Sequence, residues 1–212
     1  MYLWQYSFII PPDENAAIFA GDFFAFSKTV IVSRVFPETL VATINVLESI
    51  SILDITKKNI SSENLTESNY SLKLAEFVKE IPCLYYPAGL QSAAIRFKNS
   101  LQENAKMHVI AEDVIESCHN GIVAWKKNSD VYPILIKGQD DYIKTKERWS
   151  ILEEFFDKKG IKYFSINSVN GNILSKIMNL VYIFDYATVY FSILNSIDPS
   201  PVDAIDYIKS RL

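Results

Sequence analysis

The chain of 212 residues carries 25 acidic against 21 basic side chains, a net charge of −4. It therefore lacks the basic footprint with which a general nucleic-acid binder displaces counterions. Hydrophobic residues at 49% and charged ones at 22% exclude a disordered chain, and the length allows one large domain or one full domain with a reduced companion.

Residues 2–10 and 29–35 are β-rich by content, and residues 37–53 fit a helix that starts at a proline in its first turn. The polar stretch 57–69 reads as a linker, which sets a boundary between residues 1–64 and 65–212. From there the pattern becomes regular. Asn69 is placed to cap a helix over 70–80, residues 81–86 form a short apolar strand, and Ala94, Ile95, Leu101 and Ala105 share one face of a helix over 90–106. Strands follow at 107–111, 131–137 and 161–166, with a helix over 140–159 stopped by Gly160 as a left-handed cap. Two helices end the chain, at 171–195 and at 201–211, the second with Ser200 as cap and Pro201 in its first position. This alternation predicts an α/β fold: a doubly wound, mostly parallel sheet flanked by helices and preceded by a reduced N-terminal region.

Cys83 and Cys118, with no secretory leader read ahead of them, are expected as reduced thiols of a cytoplasmic protein. Two histidines and two cysteines without paired spacing predict no metal site. The apolar run 177–194 contains Asn179 and Asp185 and has no flanking basic cluster, which predicts a buried helix and no membrane partner.

Most of the chemistry lies in two stretches, 96–106 and 118–125. Glu103 falls in the last turn of its helix, where the macrodipole disfavours a negative charge; it is either a solvated carboxylate paired with a lysine or a general base. His119, between Cys118 and Asn120-Gly121, falls in a turn and is free to reach outward, whereas His108 reads as a packed strand residue. Arg96, Lys98 and Lys106 form either a cationic rim for an anion or a solvated helix face. The hydroxyl of Thr188, on an apolar helix, either bonds back to its own backbone or faces a ligand.

Gln102-Glu103-Asn104-Ala105-Lys106, followed by Cys118-His119-Asn120-Gly121-Ile122-Val123-Ala124-Trp125, resembles the second sugar-isomerase (SIS) domain of the bifunctional phosphoglucose/phosphomannose isomerases. Their pattern runs Asn-Glu-Asn-Ala-Lys and then Asn-His-Asn-Glu-Ile-x-Gly-Trp. The ending from Asp185-Tyr186-Ala187-Thr188 through Asp198-Pro199-Ser200-Pro201 to Lys209 is also similar, so the resemblance covers about residues 65–212.

The resemblance implies an aldose–ketose isomerase that takes glucose 6-phosphate or mannose 6-phosphate to fructose 6-phosphate through an enediol, without metal or other cofactor. It implies Glu103 as the base between C1 and C2, and His119 as the ring opener. It further implies a phosphosugar ligand near Lys106, Thr188 and Arg96, and a homodimer whose shared active site takes the histidine from the neighbouring subunit. Three departures stand out: Gln102, Cys118 and Gly121 each replace a family residue, and position 121 loses a carboxylate. Residues 16–26 resemble the family's glycine-rich opening only at Gly21 and Asp22, and residues 33–39 are no phosphate-binding turn. The alternative function is therefore a non-catalytic phosphosugar-binding or regulatory SIS protein.

Overall fold

A computed structural model describes residues 56–212. The strands expected at 2–10 and 29–35, the helix at 37–53 and the stretch 16–26 lie outside the described residues.

Residues 57–69 are stitched down and do not hang as a free linker. Residues 56–60 are helical, and the carbonyl of Ile60 accepts from the Tyr190 hydroxyl at 2.7 Å. The side-chain amide of Asn69 donates to the carbonyls of Asn64 (2.9 Å) and Ile60 (3.3 Å) and to the Tyr190 hydroxyl (3.3 Å). Its side-chain oxygen accepts from the Leu72 amide at 3.0 Å, capping helix α1 (Tyr70–Phe77) as expected.

Strand β1 (Ile81–Tyr86) follows, buried at all but its first residue. A 3₁₀ turn (Ala88–Leu90) leads into α2 (Gln91–Asn104), which buries Ala93, Ala94, Phe97, Ser100 and Leu101 on one face. Strand β2 (Ile110–Asp113), the short α3 (Val114–Ser117), a 3₁₀ segment (Gly121–Lys126) and β3 (Val131–Lys137) come next. Helix α4 (Ile143–Lys159) ends at Gly160, whose φ of 66° is the expected left-handed cap. Strand β4 (Phe164–Asn167), the 22-residue α5 (Ile173–Leu194) and α6 (Asp203–Lys209) complete the described chain.

Among the described residues all pairings are parallel, in the order β2-β1-β3-β4. Alternation along the strands sorts the two faces. Cys83, Tyr85 and Leu135 pack with Val114, Trp125, Trp149, Leu152 and Phe156 from α3, the 3₁₀ segment and α4. The opposite face is covered by α1, whose Phe77 ring meets Tyr132 and Phe164, and by α2 and α5. Phe97 of α2 stacks on Phe184 of α5 with centroids 4.4 Å apart, a contact worth about 1 kcal/mol beyond its burial.

The two outer strands start three residues later than expected, at Ile110 instead of Met107 and at Phe164 instead of Ile161. In each case the central strand carries a proline, which has no N–H for a ladder. Pairing to β2 begins at Cys83, directly after Pro82, and pairing to β4 begins at Ile134, directly after Pro133. Helix α4 also starts late, because Asp141 is used in the preceding turn; its Oδ2 accepts from the Gly138 amide and from Trp149 Nε1, both at 2.9 Å. Ser200 does not cap α6: its own amide is held by Asp198 Oδ1 at 2.9 Å, and the helix begins at Asp203 without a side-chain cap.

Candidate active site

The turn that bears Glu103 is fixed by a polar seam between α2 and α5. Arg96, Ser100 and Asn104, at i, i+4 and i+8, face Asp185, Thr188 and Ser192. Arg96 grips Asp185 with two nitrogens, at 3.2 and 3.0 Å, and Ser100 Oγ donates to the same carboxylate at 2.9 Å. Asn104 Nδ2 donates to Thr188 Oγ1 at 2.9 Å, and Thr188 in turn donates to the Asp185 carbonyl at 2.8 Å. Ser192 Oγ closes the seam on the Asn104 carbonyl at 3.0 Å.

Three letters of the Gln-Glu-Asn-Ala-Lys motif thus serve geometry. Asn104 ties the end of α2 to α5, Ala105 is buried beneath the turn, and Lys106 turns the chain with φ 55°. The Lys106 ammonium donates to the carbonyls of Glu103 (2.7 Å), Pro199 (3.1 Å) and Pro201 (2.5 Å). Glu103 itself is exposed. Asn104 carries its tie to α5 without having been expected to, although its spacing from Arg96 and Ser100 placed it on the same helix face.

Of the residues expected against the ligand, Arg96 is paired with Asp185, Lys106 binds backbone carbonyls, and Thr188 is fully buried. His108 is not packed in a strand; it is exposed on the connector between α2 and β2, because that strand starts only at Ile110.

His119 sits in a turn, as expected, and its side chain is exposed. Asp113 starts this region by accepting from the Ile115 amide at 2.8 Å. The His119 amide donates to the Glu116 carbonyl at 2.9 Å, and Asn120 Nδ2 to Glu116 Oε1 at 2.6 Å. Below the turn Trp125 Nε1 donates to the Tyr85 hydroxyl at 2.9 Å. Burial pushes the Cys83 thiol up to about 12, and it also raises Cys118 and the Tyr85 phenol. These thiols are protonated at neutral pH and are not activated nucleophiles.

The parallel topology separates Glu103 from His119. Helix α2 leaves the C-terminal edge of β1 and ends before the N-terminal edge of β2, so Glu103 lies toward the N-terminal edge of the sheet. His119 follows the C-terminal end of β2 and lies toward the other edge. A cleft of about 490 Å³ lined by Phe77, Asp157, Gly160, Ile161, Lys162 and Tyr163 contains neither residue. Among the described residues no group of three His, Cys, Asp or Glu side chains is placed to hold a metal ion. Helix α5 is long and apolar enough to cross a membrane, but half of its most apolar window is buried, as in a core helix.

A bifunctional phosphoglucose/phosphomannose isomerase of Aquifex aeolicus is 26% identical over 175 residues, covering 77% of this chain and 54% of that protein. One of Thermoplasma acidophilum is 24% identical over 162 residues, covering 75% and 49%. The chain spans about half the length of these relatives. A glucose-6-phosphate isomerase like protein from Thermus thermophilus shares the fold, with a TM-score of 0.59 and 18% identity over 73% of this chain and 52% of that one. Residues 67–212 match the bacterial phospho-glucose isomerase C-terminal SIS domain, the family to which this chain belongs.

Proposed function

We propose that this chain is an aldose–ketose isomerase of phosphorylated hexoses, with Glu103 as the base and His119 as the ring opener. The observation that carries the reading is that the side chains of Glu103 and His119 are exposed while motif residues beside them hold the backbone in place. Asn104, Ala105 and Lys106 are consumed in fixing the end of α2, while Glu103 is left in solvent. His119 is likewise left free on a turn whose neighbours are bonded to one another.

In this reading the His119 imidazole moves a proton between the ring oxygen and O1, opening the sugar. The Glu103 carboxylate removes the C2 proton of the open-chain aldose, giving an enediolate, and returns it to C1 while the O2 proton passes to O1, which leaves the ketose. Because Glu103 and His119 lie toward opposite edges of one sheet, a complete site needs Glu103 of one copy and His119 of another, in a homodimer. The relatives named as isomerases support the substrate class, a hexose 6-phosphate.

A second reading, a binding or regulatory module without turnover, draws on a different observation. Arg96, Lys106 and Thr188 all spend their polar groups within the chain.

The test is incubation with glucose 6-phosphate, mannose 6-phosphate or fructose 6-phosphate in D₂O. Isomerisation through an enediol places deuterium on the carbon next to the carbonyl. Binding without deuterium uptake over many hours sinks the isomerase reading in favour of the module.

A further inference from the structure

We propose that Lys106 is a positioning residue, whose ammonium clasps segment 198–212 to the end of α2 and so fixes the turn that presents Glu103. The inference rests on the reading of Glu103 as the base.

A lysine with φ 55° is in a conformation that side-chain-bearing residues avoid, at a cost of roughly 1 kcal/mol, and it persists where surrounding bonds hold it. Here three bonds do. An ammonium has three protons, and the carbonyls of Glu103, Pro199 and Pro201 take all of them. Glu103 contributes one of the carbonyls that a helix leaves unpaired at its C-terminal end, where a cation is favoured.

The other side of the clasp has little else to hold it. Helix α6 buries none of its residues. Among the described residues, the Lys106 bonds are the side-chain hydrogen bonds that join segment 198–212 to the rest of the chain. The segment itself is preformed at the clasp: Asp198 Oδ1 holds the Ser200 amide at 2.9 Å, between the two prolines whose carbonyls meet the ammonium. A phosphate could use Lys106 only by stripping these bonds, so the residue acts on the reaction through Glu103 and not through the ligand.

The test compares the full-length protein with Lys106→Met, which keeps the stem, and Lys106→Arg, which keeps cationic donors. In Lys106→Met the amides of residues 203–209 should exchange hydrogen about tenfold faster, with Lys106→Arg near wild type. With hexose 6-phosphates as substrate, Lys106→Met should lower kcat about tenfold and leave KM within about twofold. Unchanged exchange in Lys106→Met overturns the clasp. A raised KM at unchanged kcat also overturns it, by making Lys106 a contact to the substrate's anion. Should the wild-type protein turn over no hexose 6-phosphate, the isomerase reading falls separately, and the exchange measurement still decides the clasp.

Discussion

Oε2 of Glu112 stands 2.5 Å from the point where a side chain on Gly121 would begin. Gly121 is not in the left-handed region, so the glycine provides room and not backbone freedom. A carboxylate therefore stands under the His119 turn although position 121 carries none. Gly121→Ala should couple to Glu112→Ala: the alanine at 121 should be more favourable by about 1 kcal/mol once Glu112 is truncated. Urea denaturation of the four members of the cycle measures this, and additive effects would show that the two positions do not share the space.

The opposite placement of Glu103 and His119 makes a subunit-mixing prediction. Glu103→Gln and His119→Ala should each be inactive alone as isomerases of cyclic hexose 6-phosphates. Mixed in equal amounts after dissociation and reassembly, they should recover about a quarter of wild-type activity, since half of the dimers hold one intact site of two. No recovery in dimers shown by mass to be hybrid would mean that the two residues act within one chain.

Thr188 links Asn104 to the Asp185 carbonyl in a fully buried position. Thr188→Val keeps the shape and removes both bonds, leaving the Asn104 amide without its acceptor. The expected cost is about 1–2 kcal/mol in unfolding free energy, with hexose 6-phosphate affinity changed by less than about twofold. A large loss of affinity at unchanged stability would return Thr188 to the ligand.

Burial holds the Cys83 thiol at about 12, against 9.0 for a free thiol. As pH rises past 9 the unfolded chain loses this proton while the folded chain keeps it, so the folded state binds more protons and stability falls between pH 9 and 12. The limiting slope from one such group is about 1.4 kcal/mol per pH unit. Cys83→Ala should flatten the alkaline fall in the urea midpoint relative to wild type. Equal slopes for the two proteins would contradict it.

The central strands β1 and β3 were readable to the residue, because each is an apolar run that burial on both faces requires. The edges of β2 and β4 were not readable from their own residues, since Pro82 and Pro133 on the neighbouring strands decide where pairing begins. The cap at Gly160 was legible as a local property; the competition of Asp198 for Ser200 was not, because both residues are good caps. At the site, the motifs pointed to Glu103 and His119, but the fates of Arg96, Lys106 and Thr188 depend on which side chains a second element brings opposite. Polar stripes at 96, 100, 104 and at 185, 188, 192 are visible in the sequence, and only packing shows that they face each other.

The seam between residue 60 and Tyr190 joins positions 130 apart in sequence, and Asn69 reaches the same hydroxyl across 121. Such contacts raise the contact order of the domain, and they have a consequence for synthesis on the ribosome. Helix α1 and the buried Asn69 emerge early, yet the helix that covers them emerges about 100 residues later. A nascent chain released or cut before α5 leaves that surface uncovered, so the last long helix acts as the closing step for a helix made about 100 residues earlier.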